Sequence, residues 1–463
     1  MADINLGVGG ANSASDAYEI ANSLKFEADN TEYITHTSSS GSGTKVTYSF
    51  WCKRTELDSS SYMQVAGITT NSETLRFMFY QDSVRVEVGN GGTQTLLVTN
   101  RKFRDTSAWY HFFIVVDTTL STAGDRRQLW VNGVRETSFS TETYPTQNFS
   151  AATDQNNAKW RYGAYDSTYY KFSGYLAECY RLDGIAATYT DFGEFDTNGI
   201  WIPKEYTGSF GTNGHYLDFE DSSSLGADDS GNSNNFTLNN IAAADQATDT
   251  PTNNFAVLNG LHNVPDTTRK EGLTTTVKNN NGWRTLVSTL GVSSGKWYFE
   301  LSAGSEYTMI GVSGDGVYGG GISYEYYVGS LTGSLGYYGN SATFFQDGVD
   351  KSPTNVASFV ADDIVGLALD VDNGKAYFHK NGTYQNSANP NTSSNGYTIT
   401  GDAPYFLTMS TYQQADQCEV NYGGYHVYSI SSGNSDANGY GNFEYAPPSG
   451  YYALCSKNLA EYG

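Results

Sequence analysis

The sequence predicts an all-β protein, built as two tandem antiparallel β-sandwiches of jelly-roll type behind a short N-terminal arm. Three observations predict it. Among 463 residues there are 50 glycines, 37 tyrosines and only 9 prolines, a composition of tight turns and aromatic strands. Charged residues make up 16%, too few for long exposed helices or coiled coils, which are rich in Glu and Lys. Short alternating apolar runs are separated by turn signals roughly every ten residues, the spacing of a sandwich. At 38% hydrophobic content, much of the core area must come from Tyr, Phe and Trp.

Residues 1–21 are small, polar and Gly-rich, without strand alternation. They read as a flexible arm or as an attachment peptide that orders on a partner. The first sandwich is expected over 22–195. Its strands begin at Ser23-Leu24-Lys25-Phe26 and continue through Tyr33-Ile34 and 46–53. A hairpin follows, 75–79 with 83–88, turning near Gln81-Asp82, and 95–98 adds a strand. The strongest strand is 109–117; then come 128–131 with the turn Asn132-Gly133, and 172–180. Residues 196–255 form a connector with two or three strands. Its aromatics Trp201, Phe210, Tyr216 and Phe219 predict that it packs down and completes the first sandwich.

The second sandwich is expected over 256–463 and is organised around Gly295-Lys296-Trp297-Tyr298-Phe299-Glu300. Residues 363–370 are apolar almost without a break, as in a strand buried on both faces. Asn373-Gly374 offers a two-residue hairpin turn, 375–380 returns, and Asn381-Gly382 turns again. Strands are also expected at 309–312, 324–328, 334–338 and 405–410.

Order and spacing of the motifs Ser23-Leu24-Lys25-Phe26, Tyr48-Ser49-Phe50-Trp51, Trp109-Tyr110-His111-Phe112, Leu129-Trp130-Val131-Asn132-Gly133 and Phe172-Ser173-Gly174-Tyr175-Leu176-Ala177 resemble the laminin G-like, concanavalin-like family. The Gly-Lys-Trp-Tyr-Phe-Glu strand, Ile310-Gly311-Val312, Gly336-Tyr337-Tyr338, the 363–370 strand and Phe378-His379-Lys380-Asn381-Gly382 together resemble a SPRY domain over roughly 255–454.

The net charge of −23 disfavours nucleic acid and anionic lipid as partners. Cys52, Cys179, Cys418 and Cys455 are scattered, so neither a zinc site of ordinary spacing nor a disulfide scaffold is expected. No apolar run follows Met1 and none approaches membrane-spanning length, which predicts synthesis in a cytoplasm without a signal peptide or membrane insertion.

No nucleophile elbow, phosphate loop or His-Glu-x-x-His stands in the chain. His111 and His379 fall on strands, as structural histidines do. Glycoside hydrolysis needs two carboxyls about 5 to 9 Å apart; the close pairs are Asp218 with Glu220 and Asp370 with Asp372. No organic cofactor is expected. A calcium loop is open at Asp228, Asp229 and Asn232, where oxygen ligands crowd, against a turn held by Asx side chains. Exposed tyrosines beside Asn, Asp and Gly suit sugar stacking; the candidates are Tyr165, Asp166, Tyr324, Tyr326, Tyr327, Tyr337 and Tyr338.

The whole architecture is similar to virion proteins of tailed phages, marine ones in particular. That resemblance implies a non-enzymatic tail-fibre or adhesin protein on the virion surface. The arm would bind other virion proteins and the sandwich loops a host-surface glycan or protein. It also implies a homo-oligomer, for which a trimer is the usual fibre state. A capsid decoration or head-fibre protein, a polysaccharide-degrading enzyme and a cytosolic SPRY adaptor stay open as alternatives.

Overall fold

The computed structural model describes residues 18–57, 60–69, 73–90, 93–150, 156–262, 264–317 and 325–463. These fall into two compact units, one ending at Thr252 and one spanning Asn253–Gly463. Both are β-sandwiches, and the only α-helix among the described residues is Ser456–Tyr462.

In the first unit one sheet runs, edge to edge, Val134–Arg135, Arg127–Val131, Tyr110–Asp117, Lys45–Arg54, Gly174–Asp183, Ser23–Phe26 and Gln246–Ala247. The other runs Phe139–Glu142, Thr93–Thr99, Ser83–Asn90, Glu73–Tyr80, Met63–Thr69, Lys159–Tyr162, Tyr33–Thr37 and Thr237–Asn239. Alternation sends one face of each inward. Phe50 meets Phe77 and Phe112 at ring distances of 5.1 and 5.9 Å in that core. Asn132 and Gly133 both take positive φ, 48° and 72°, so Val131 pairs with Val134 across a two-residue turn.

Residues 185–216 fold back over the outer face of the first sheet. Phe192, Tyr206, Phe210 and Tyr216 pack there on Phe113, Tyr180 and Leu182. Trp201 donates its indole N–H to His111 Nδ1 at 3.1 Å. Strands His215–Leu217, Thr237–Asn239 and Gln246–Ala247 all pair into the first unit's sheets.

In the second unit strand Lys296–Ser302 lies between Ile364–Asp370 and Gln417–Asn421. Its Trp297, Phe299 and Leu301 enter the main core, and Tyr298 enters a second cluster with Ala368, Tyr377, Phe443 and Tyr451. Apolar cover on both faces explains the nearly unbroken hydrophobic run at 364–370. The six-stranded sheet opposite is Arg284–Val292, Tyr405–Thr411, Thr308–Ser313, Ser334–Tyr338, Thr343–Gln346 and Val349–Asp350.

Two local expectations need correction. Asn373-Gly374 is not a two-residue hairpin: Asp370 pairs with Lys375, and only Gly374 is left-handed. The Asp370 carboxylate captures the Asn373 N–H and amide at 3.0 and 3.1 Å, which builds a four-residue turn. The expected strand at 324–328 is a turn over its described residues, with Ser330 N–H donating to Tyr327 O at 3.0 Å.

Candidate functional site

The six-stranded sheet of the second unit ends in an open groove of about 730 Å³ lined by Asn281, Trp283, Tyr307, Tyr338, Tyr412, Gln413 and Gln414. Four connections supply these residues. Trp283 precedes strand Arg284–Val292, Tyr307 precedes Thr308–Ser313, Tyr338 ends Ser334–Tyr338, and Tyr412–Gln414 follow Tyr405–Thr411. Trp283 is the hub. Its ring lies 5.2, 5.5 and 5.4 Å from those of Tyr327, Tyr338 and Tyr412, all tilted or edge-on. Tyr307 adds a contact to Tyr412 at 6.1 Å.

These edge contacts prop the indole in place and leave it half-buried. Tyr412 is 37% exposed. Asn281 Oδ1 accepts the Gln414 N–H at 2.8 Å, which ties two of the loops together. The lining holds amides, phenols and an indole, with no carboxylate, imidazole, thiol or cation. Burial, with Tyr307, Glu306 and Tyr412 close by, pushes the Tyr338 phenol up to about 12, so at neutral pH it is a neutral hydrogen-bonding group. Aromatic faces beside neutral donors and acceptors suit a ligand of rings and hydroxyls.

The sequence candidates divide. Tyr338 lines the groove and Tyr327 supports its hub. Tyr326 is 47% exposed. Tyr324 lies outside the described residues. Tyr337 is a correction: it is 0% exposed, stacks on Phe344 at 4.6 Å and donates its hydroxyl to Ala357 O. It is core, because strand alternation that turns Tyr338 outward turns Tyr337 inward. Trp283, Tyr307, Tyr412 and the two glutamines were not anticipated. Their signal was an aromatic flanked by amides at a strand end, in Asn279-Asn280-Asn281-Gly282-Trp283 and Tyr412-Gln413-Gln414.

In the first unit Tyr165 and Asp166 belong to a second tyrosine cluster. Asp166 Oδ1 accepts the N–H groups of Thr168 and Tyr169 at 2.7 and 2.8 Å, an Asx turn that pushes out Tyr169, 59% exposed. Tyr170 bridges Tyr165 and Tyr62 at 5.6 and 5.2 Å, and Tyr62 stacks on Tyr80 at 4.3 Å.

The calcium candidates are spent on the fold. Asp228 accepts three backbone N–H groups, from Tyr216, Ser230 and Asn234, at 2.8 to 3.0 Å. Asn232 gives its amide to Gly211 O and Gly214 O. Burial and the neighbouring Asp218 raise the Asp229 carboxyl. Among the described residues no group of three or more His, Cys, Asp or Glu is placed to hold a metal.

The acid pairs are structural too. Asp218 accepts the Glu220 N–H at 3.0 Å in the turn after His215–Leu217, so the two do not share a strand face. Asp370 pairs with Lys296 at 3.0 Å, and Asp372 accepts the Gly295 N–H at 2.8 Å. His111 Nε2 lies 2.7 Å from Ser49 Oγ, but its Nδ1 accepts from Trp201. Nε2 therefore carries the proton and donates to the serine, which cannot activate a nucleophile. His379 repeats the logic. Nδ1 accepts the Gly382 N–H at 3.2 Å, so Nε2 donates to Tyr298 Oη at 2.7 Å, and Tyr298 donates to Glu300 Oε1 at 2.8 Å. Glu300 also accepts from Tyr428 and from the N–H groups of Glu444 and Tyr445, at 2.7 to 2.9 Å.

Residues 28–180 match the model of the Concanavalin A-like lectin/glucanases superfamily, and residues 296–425 match the SPRY domain model. No curated protein matches the chain. Among solved structures it is similar to the SPRY domain of human HERC1, at 17% identity over 32% of this chain and 87% of that one, TM-score 0.26. It is similar to the TRIM65 PSpry domain, at 10% identity over 36% and 91%, TM-score 0.28. The heptameric SAP-like pentraxin of Limulus polyphemus is a third, at 13% identity over 37% and 80%, TM-score 0.28. The first sandwich thus matches the concanavalin A-like model and the second the SPRY model, in that order along the chain.

Proposed function

We propose that this is a non-enzymatic virion-surface protein of a tailed phage, of tail-fibre or adhesin type, whose SPRY groove engages a host-surface glycan or protein. The groove carries the binding part of this reading: an aromatic hub open to solvent, ringed by neutral amides and phenols. Its polar lining is made of amides and phenols, with no carboxylate, imidazole, thiol or cation among the lining side chains. The virion assignment rests on the architecture and on an acidic, cysteine-poor composition. Residues 1–17 lie outside the described part of the arm. In this reading they make the particle contact.

The test combines two measurements on the full chain. Immunogold microscopy on particles should label the tail or its fibres; label over the head would move the assignment to capsid decoration, and no label would refute it. On a host-glycan array and on host cells, Trp283→Ala should lose wild-type binding about 5- to 150-fold, the equivalent of about 1–3 kcal/mol for one stacked ring. Retained binding would remove the groove from the mechanism. Release of reducing sugar from host polysaccharide would refute the non-enzymatic part.

A further inference from the structure

Leu24 and Phe26 enter the core of the first sandwich, so strand alternation puts Lys25 on the outer face of its sheet. A lysine there would ordinarily reach water. Instead it is covered by the segment that ends the unit, and its side chain is 1% exposed. Its ammonium faces two carboxyls. Nζ lies 2.8 Å from Asp245 Oδ1 and 3.1 and 3.0 Å from the two oxygens of Glu32. The side chains of Glu32 and Asp245 are 3% and 11% exposed.

Each acid is fixed by bonds of its own. Glu32 accepts the Glu27 N–H at 2.7 Å and the Asn30 amide at 2.9 Å. Asp245 accepts the Ala242 N–H at 2.8 Å through its other oxygen. The residues come from opposite ends of the unit. Lys25 lies on Ser23–Phe26, and Asp245 directly precedes Gln246–Ala247, the strand that pairs with it.

We propose that Lys25 and Asp245 condense into an intramolecular isopeptide bond, with Glu32 carrying the proton. The Lys25 ammonium passes one proton to Glu32, and the freed lone pair attacks Cγ of Asp245. A C–N bond forms and one C–O bond breaks. Glu32 returns its proton to the departing oxygen, the nitrogen gives up a second, and one water leaves. The ammonium and carboxylate thus become an amide and water, Glu32 ends as it began, and no oxidant or external reagent is needed. Fixed contact of the Lys25 nitrogen with the Asp245 carboxyl, 2.8 Å to Oδ1 in a buried pocket, supplies the proximity that a bimolecular amidation lacks. The 11% exposure of Asp245 gives the water a way out.

Burial, reinforced by the charge of Asp245 against the pull of Lys25 and Asn30, raises the Glu32 carboxyl to about 7. Both of its protonation states are then accessible near neutrality, as proton transfer requires. The neighbouring pair Lys53–Asp249 is just as close, 2.6 Å, and just as buried. There the second Asp249 oxygen accepts the Trp109 indole N–H at 3.0 Å, a donor with no labile proton at this pH. That pair is the internal control.

Intact mass of the denatured full chain tests the proposal, with N-terminal processing fixed by peptide mapping. The wild type should weigh one water less than its sequence, and tandem mass spectrometry should find a branched peptide joining Lys25 to Asp245. Lys25→Met and Asp245→Ala should restore the sequence mass. Glu32→Gln should slow the loss of water about 100-fold, the usual weight of one general acid–base group. A mature wild type at the full sequence mass would overturn the proposal whether or not any variant folds. So would a water loss that maps to Lys53–Asp249 or to a succinimide. Cross-linking at the wild-type rate in Glu32→Gln would overturn the role given to Glu32.

Discussion

Gly366→Ala should be among the most damaging small substitutions in the second unit. Gly366 sits between Glu300 and His379 in the register of three strands. A Cβ there would stand 2.0 Å from His379 Nε2, well inside ordinary contact, so the imidazole must move by more than an ångström. It has nowhere to go. His379 is 1% exposed and hemmed by Tyr298, Tyr384 and Tyr445 at ring distances of 5.8, 5.4 and 5.3 Å. Moving it breaks two hydrogen bonds, to Tyr298 and from Gly382, at about 1 kcal/mol each. Overpacking adds about 1–3 kcal/mol. A loss of about 3–5 kcal/mol raises the local opening constant at least ~100-fold. Hydrogen exchange followed by mass spectrometry reads this over 364–380, with the first unit as the unaffected reference. His379→Ala in the same chain should relieve the clash, leaving the double variant no less stable than His379→Ala alone. Wild-type exchange in Gly366→Ala, or additive losses in the double variant, would refute the steric account.

Glu178 makes a pH prediction. Its carboxylate accepts three phenols, Tyr18, Tyr180 and Tyr216, at 2.5 to 2.9 Å, and burial lifts it from 4.5 to about 7. A raised carboxyl holds its proton more tightly folded than unfolded. Its contribution to stability is therefore full below pH 4.5, falls as pH climbs to about 7, and is flat above. Denaturation of the wild type across that window should show this slope, and Glu178→Gln should lack it; equal slopes would count against the assignment. All four cysteines are free and buried, and burial pushes Cys418 and Cys455 up to about 11 and about 12. A thiol reagent should find none in the folded chain and four after denaturation; prompt labelling of any one would contradict this.

The fold was largely legible because its signals are local. Asn132-Gly133 and Asn381-Gly382 turn with both residues at positive φ, and the double-faced strand at 364–370 announces itself by composition. Asn373-Gly374 misled because a side chain three residues upstream outcompetes the dipeptide for its own backbone. Facing was legible only as a pair property: adjacent Tyr337 and Tyr338 must point oppositely, but which one meets water depends on the sheet laid behind them. The groove was least legible. Trp283 and Tyr412 lie far apart in the chain, and their meeting depends on pairing between Arg284–Val292 and Tyr405–Thr411. For the same reason Lys25 and Asp245 read as two ordinary charges until the last strand returned beside the first.

That return has a mechanical consequence. One hydroxyl, Thr252 Oγ1, accepts the Ile20 N–H at 3.2 Å and donates to Ile20 O at 3.1 Å, so the backbone enters and leaves the first unit side by side. Tension along the chain therefore passes from one of these residues to the other across one edge of the first sheet and bypasses the remaining strands of both sheets. It falls on the antiparallel contact of Ser23–Phe26 with Gln246–Ala247, pulled from adjacent ends, where bonds open one after another instead of sharing the load. The next restraint on that path is Lys25 against Asp245. With an ion pair there the unit peels open at its seam, and with an amide it holds.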